Sequence, residues 1–178
     1  MIKIHYETID STQKEIWRRI ENNEIQNGII ISADIQTDGV GTHGRTWYTT
    51  QKENIAFSIG LAPNVPINNL ENLTLEIAEN ILEVFEELYQ VKLEIKLPND
   101  IMIAGQKVGG ILTETKLQGE IVKYLVIGVG INTNNQEIST SISKEFNISI
   151  DNSKVIEEFC KIFEVKMAKR NCHITGKE

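Results

Sequence analysis

From Val91 to Ile131 the chain alternates short apolar runs with turn residues, and no link in that stretch is long enough for a crossover. Leu93 to Leu97 alternates until Pro98 stops it. Ile101 to Ile103 and Lys107 to Thr115 flank the short link Ala104-Gly105-Gln106, and Gly119 marks a turn before Ile121 to Val129. Strands joined by turns this short pair antiparallel, because a parallel pair needs a connection of roughly a dozen residues or more. Helical signals lie outside this block. Asp10-Ser11-Thr12 supplies N-cap residues for a helix to about Asn22, with Glu15 three after Thr12 completing a capping box. Ile16, Trp17 and Ile20 form its apolar face. Asn69 to Tyr89 repeats Leu70, Leu73, Ile77, Ile81, Phe85 and Leu88 at helical spacing. Asp151 to about Arg170 reads as a closing helix with Val155, Phe159, Ile162, Phe163 and Met167 inward, followed by a frayed tail from Asn171 to Glu178. Further strands are expected at Ile2 to Tyr6, at Gly28 to Ile35 and over the period-two stretch Ile55 to Leu61. Segregated helices and strands predict an α+β fold with helices packed on one face of a sheet.

The 178 residues fit one domain, expected over 1–170 with a tail over 171–178. A net charge of −7 excludes a strongly basic chain built to coat nucleic acid. The two cysteines, Cys160 and Cys172, are too few for a disulfide framework or a cysteine-only zinc site, and they point to a reducing compartment. The first residues are too polar for a signal peptide, and no apolar run approaches the ~18 residues of a membrane helix. A soluble, cytoplasmic protein without membrane or DNA partners is expected.

Four segments carry chemistry. Gly39-Val40-Gly41-Thr42-His43-Gly44 has the spacing of a dinucleotide loop, directly after a strand. The Rossmann form must open a helix and meet an acidic residue about 20 residues on. Here the glycines lead into β-branched and aromatic residues, and no acidic residue lies between Glu53 and Glu71. Rossmann is rejected, but glycines so spaced still let backbone N–H groups approach an anion. Lys96-Leu97-Pro98-Asn99-Asp100 joins turn chemistry to a Lys and an Asp that a turn does not need. Lys107-Val108-Gly109-Gly110-Ile111-Leu112 puts paired glycines in an apolar strand, which weakens it unless something must approach the backbone there. Val126-Ile127-Gly128-Val129-Gly130-Ile131-Asn132 repeats that pattern.

In their order and spacing, these segments together with Ser11-Thr12-Gln13, Gln36 and Gly44-Arg45-Thr46-Trp47 resemble the biotin protein ligase family over residues 6 to 132. The resemblance implies a mixed, mostly antiparallel sheet similar to class II aminoacyl-tRNA synthetases. It also implies a two-step reaction that uses ATP with Mg²⁺. Biotin carboxylate attacks the ATP α-phosphate to form biotinyl-adenylate, and a lysine amine of a biotin carboxyl carrier protein, such as that of acetyl-CoA carboxylase, then takes the biotinyl group. Residue by residue, the resemblance assigns catalysis to Lys107 and Arg45. Biotin falls to Ser11, Thr12, Gln13, Gln36, Gly39, Val40, Gly41, Thr42, Lys107 and Gly110. The nucleotide falls to Arg45, Trp47, Lys96, Asn99, Gly128, Gly130 and Asn132, and Mg²⁺ to Asn99 and Asp100. Joining two anions makes catalysis largely charge neutralisation and positioning, which suits these residue types.

The pattern departs from the family at the loop, where Val40, Thr42 and His43 stand in place of arginines, so a weaker grip on the adenylate phosphate is expected. Leu97 stands where the family often has Trp. The chain starts at the catalytic strand and stops after the last helix. This predicts neither a DNA-binding domain nor the small C-terminal β-barrel. Separately, a monomer or weak homodimer is expected. Two alternatives remain open: a lipoate or octanoate ligase or transferase of the same fold, and a degenerate biotin-binding module.

Overall fold

The computed structural model describes residues 1–25, 28–47, 49 and 53–172. Of the tail expected to fray from Asn171, Cys172 is instead buried in the core with its N–H on the Met167 carbonyl, because its apolar side chain joins the α4 packing, and 173–178 lie outside the described residues. In chain order the elements are β1 (Ile2–Ile9), α1 (Thr12–Glu21), β2 (Ile29–Gln36), β3 (Gly39–Val40), β4 (Thr46–Trp47), β5 (Asn54–Leu61) and β6 (Val65–Pro66). They continue with α2 (Leu73–Tyr89), β7 (Glu94–Lys96), β8 (Asp100–Ile103), β9 (Gln106–Gln118), β10 (Ile121–Asn132), α3 (Ile142–Phe146) and α4 (Asn152–Lys169).

One sheet runs β1-β2-β5-β10-β9-β8-β7, with β6 added to β10. Among the described residues only β1 and β2 pair in parallel, and α1 is the crossover that this pairing requires. The antiparallel block from β7 to β10 follows the short turns of the sequence. Ala104 and Gly105 both sit at positive φ, 48° and 76°, the backbone that a two-residue hairpin turn demands. β3 and β4 form a separate two-stranded ribbon.

The helices do not share one face, contrary to the expectation from segregation. Leu73, Ile77, Ile81 and Phe85 of α2 and Val155, Phe159 and Phe163 of α4 pack with Ile30, Ile55, Ile59 and Ile127 on one side. Ile16 and Ile20 of α1 pack with Ile29, Ile31 and Val126 on the other. The reason is in the strands: Ile29-Ile30-Ile31 and Leu125-Val126-Ile127 are continuous apolar runs, so both faces of β2 and β10 need cover. Gly60 lets α1 settle on that second face, because a Cβ there would lie 2.6 Å from Ile16 Cγ2. Among the described residues no helix is long and apolar enough to cross a membrane.

At the start of α1, Ser11 is the N-cap and its side chain accepts from Lys14 N–H at 3.3 Å. The third helical residue is therefore Lys14, and no capping box forms. Glu15 instead receives Arg18 and Arg19, at 2.8 and 2.9 Å. Arg18 also grips Asp10 through both carboxylate oxygens, at 2.8 and 2.7 Å. That hydrogen bond is the main reason the Asp10 carboxyl is held down to about 2. A carboxyl depressed in the folded state adds stability above its unfolded pKa, and the contribution fades as pH falls through the folded value. The stability difference between the parent and Asp10→Asn is therefore expected to shrink between pH 4 and pH 2, as read from urea midpoints. A constant difference would assign the Asp10 effect to shape rather than charge.

Candidate active site

On the α1 face, β10 and β9 lose their side chains where they meet. Gly130 pairs with Gly110, and Gly128 pairs with Leu112. A Cβ on Gly128 would lie 2.7 Å from Gln13 Oε1, and one on Gly130 would lie 2.4 Å from the Trp47 ring. These two glycines make room for the protein's own Gln13 and Trp47. Gly110 is different, since its nearest neighbours are Lys107 Cε and Nζ at 3.5 Å. Lys107 and Gly110 would face opposite ways in a regular strand. The register against β8 slips beside Val108, and such a bulge re-aims a side chain. Lys107 thereby reaches the face where Gly110 leaves space.

A cleft opens there. Its lining includes Thr12, Gln13, Gln36, Val40, Gly41, Thr42, Trp47, Ser58, Asn99, Lys107, Gly110, Leu112, Gly128 and Gly130. Most of the residues singled out in the sequence therefore converge, although they come from six separate segments. The β3–β4 ribbon forms one wall: Gly39 pairs with Trp47 and Val40 with Thr46. Gly39 sits so close to the opposite strand that a Cβ would meet the Trp47 carbonyl at 2.3 Å.

Other expected residues lie elsewhere. Ser11 is buried but caps α1. His43 and Arg45 are exposed at the ribbon turn, so Lys107 is the one cation among the described residues lining the cleft. Lys96 is exposed and pairs across the turn with Asp100. Asn132 ends β10 opposite Asn54. Leu97 is 69% exposed and lies on the opposite side of the sheet, near Leu73 and Thr74, so the exchange of an aromatic residue there falls outside the cleft. Asp100 holds the Lys107 ammonium at 2.6 Å. Asn99 spends its amide N–H on the Ile111 carbonyl at 2.9 Å, tying the turn to β9.

Polar groups on the floor are joined. Thr12 N–H and Oγ1 both donate to Gln36 Oε1, at 2.8 and 3.1 Å. Thr12 Oγ1 lies 2.8 Å from Ser58 Oγ, which donates to Gln13 Oε1 at 2.9 Å. Gln13 Nε2 and Trp17 Nε1 each donate to Glu114, at 2.8 Å. Ser58 was not anticipated. Its signal was a lone hydroxyl between Phe57 and Ile59, on the strand face those two leave free. In contrast to this satisfied floor, the Trp47 indole N–H is buried without a partner among the described residues. A buried donor of this kind costs about 1–3 kcal/mol unless an acceptor reaches it.

Residues 6–132 match the model of the biotin/lipoate A/B protein ligase family. The chain is 34% identical over 170 residues to the bifunctional ligase/repressor BirA of Bacillus subtilis, covering 90% of this chain and 52% of that protein. The chain thus spans about half the length of the curated relatives it matches. The biotin protein ligase of Aquifex aeolicus in complex with biotin and ATP superposes with a TM-score of 0.75 at 27% identity, over 96% of this chain and 70% of that one. The biotin acetyl coenzyme A carboxylase synthetase of Helicobacter pylori, with bound biotinylated ATP, gives 0.74 at 26%, over 93% and 75%. With the family model spanning the sheet, α1 and every residue named above in the cleft, the chain belongs to the biotin/lipoate A/B protein ligase family.

Proposed function

We propose that the chain is an ATP-dependent biotin–protein ligase that forms biotinyl-adenylate in this cleft and passes the biotinyl group to a lysine of a carboxyl carrier protein. The observation that carries it is a cleft lined by two chemically distinct kinds of group. Thr12 and Gln36 present neutral hydrogen-bonding groups, and Lys107 presents the only lining cation among the described residues. A ureido ring needs both donors and acceptors, and a carboxylate meeting an α-phosphate needs positive charge. Lys107 would neutralise that junction as a biotin carboxylate oxygen bonds to the α-phosphorus and the bond to pyrophosphate breaks. The Trp47 N–H, short of an acceptor, would be satisfied by a polar atom of the bound nucleotide.

Mg²⁺ fits as a partner of the phosphates rather than of a protein cage. Among the described residues no cluster of three or more His, Cys, Asp or Glu side chains is present, while Asp100 supplies one carboxylate beside Lys107. That matches the usual habit of Mg²⁺, one or two carboxylates plus phosphate oxygens. When bound it would draw charge from the leaving pyrophosphate.

The test is pyrophosphate release on mixing protein, biotin and Mg-ATP, together with melting shifts for biotin and for lipoate. Ligands that bind only the folded state raise stability by RT ln(1 + [L]/Kd). Biotin is expected to release pyrophosphate and to shift the melting point more than lipoate, whose dithiolane offers nothing to Thr12 and Gln36. A larger shift with lipoate would favour a lipoate ligase of the same fold. Biotin binding without pyrophosphate would leave a binding module.

A further inference from the structure

The hydrogen-bonded floor of the cleft begins on a carboxylate that does not line it. Glu114 stands on β9 opposite Val126, on the face covered by α1, and accepts from Gln13 and Trp17, one helical turn apart. An ionised carboxylate only accepts. Gln13 must therefore turn its NH₂ toward Glu114 and its Oε1 toward Ser58. Ser58 has one hydrogen and spends it on Gln13 at 2.9 Å. Its oxygen can then only accept from Thr12, whose own hydrogen is held between Ser58 and Gln36. Thr12 is left with a lone pair for the cleft. The Thr12 backbone N–H independently fixes Gln36 Oε1, which leaves the Gln36 NH₂ on the side of Gly39, along the cleft wall.

We infer that Glu114 is a positioning residue that sets the donor sense of this chain, so that the cleft meets a ureido group with one acceptor, Thr12, and one donor, Gln36. This rests on the biotin reading above. A neutral amide at 114 could donate to Gln13 Oε1. Gln13 would then offer NH₂ to Ser58, and Ser58 would donate to Thr12, taking up a Thr12 lone pair while the Thr12 hydrogen passes wholly to Gln36 Oε1. Shape is kept while Thr12 becomes a poorer acceptor for the cleft.

Glu114→Gln is expected to raise the KM for biotin about tenfold or more, the fold-change of one hydrogen bond lost to a buried partner. kcat and the KM for ATP should stay within about twofold, because Lys107 is untouched. In a Gln13→Ala background the same change should add nothing, since Glu114 acts through Gln13. Glu114→Asp, which remains an acceptor only, should keep a lower biotin KM than Glu114→Gln. Equal effects in both backgrounds, a fall in kcat with KM unmoved, or Glu114→Asp binding biotin worse than Glu114→Gln would overturn the inference. A second readout needs no turnover: Glu114→Gln should move the Trp17 indole and Gln13 side-chain amide proton resonances of the ligand-free protein. Unmoved resonances would overturn it as well. If the parent released no pyrophosphate with biotin, the biotin reading would fail by itself, and the resonances would still decide the role of Glu114.

Discussion

Lys107→Ala is expected to lower biotin-dependent pyrophosphate release by two to three orders of magnitude while the protein stays folded. Groups aimed at charge that develops in a transition state are worth about 10²- to 10³-fold each, and no other cation lines this cleft among the described residues. Stability should change little. The Lys107 side chain is 38% exposed and its partner Asp100 is 25% exposed, so water can take over the lost ion pair at a cost of about 1 kcal/mol or less. Steady-state pyrophosphate release and a urea midpoint on the same preparation measure both halves. A variant with the parent rate would remove Lys107 from the chemistry, whereas a variant that unfolds would make Lys107 a structural residue.

The second large effect concerns the ribbon. Val40 and Thr42 line the cleft, where the family pattern carries arginines, and Arg45 points to solvent. A charge-assisted hydrogen bond to phosphate is worth about 1.5–3 kcal/mol, or roughly 10- to 150-fold in affinity. Differences between related complexes fall mostly on dissociation. The double variant Val40→Arg/Thr42→Arg should therefore hold biotinyl-adenylate about 10- to 150-fold longer than the parent does. An escaped adenylate acylates exposed lysines, so the variant should label a non-cognate protein correspondingly less at matched adenylate production. Equal labelling would show that the glycine-rich backbone and Lys107 already retain the intermediate.

The sheet was legible wherever turn chemistry dictates pairing, as at Ala104-Gly105 and Gly119. The two-sided packing was not legible from segregation of elements, since that argument assumes one apolar face; Ile29-Ile30-Ile31 carried the correction. At the cleft, residue types marked Lys107 and the glycines. Local pattern could not say that Gly128 and Gly130 would be filled by Gln13 and Trp47, because those contacts join residues about a hundred positions apart. The bulge beside Val108 was equally hidden. It is a register shift between β8 and β9, and it alone brings Lys107 to the face of Gly110. Conversely, Ser11, Arg45, Lys96 and Asn132 show that membership of a motif does not bring a side chain to the cleft. Ser11 is consumed by helix capping, and Arg45 lies beyond a turn whose residue His43 adopts φ 57°.

In the proposed reaction a biotin carboxylate oxygen becomes bonded to the ATP α-phosphorus in this cleft. The direct measurement supplies biotin labelled with ¹⁸O in both carboxylate positions, Mg-ATP, and hydroxylamine as a small amine acceptor. Attack by the carboxylate places one labelled oxygen between carbon and phosphorus. When the amine takes the acyl group, the carbon–oxygen bond breaks and that oxygen leaves with the nucleotide. Mass spectrometry should find AMP carrying one ¹⁸O, unlabelled pyrophosphate and biotinyl hydroxamate, with all three lost together in Lys107→Ala. Unlabelled AMP would mean that water, not biotin, attacked the phosphate, and it would exclude biotinyl-adenylate formation in this cleft.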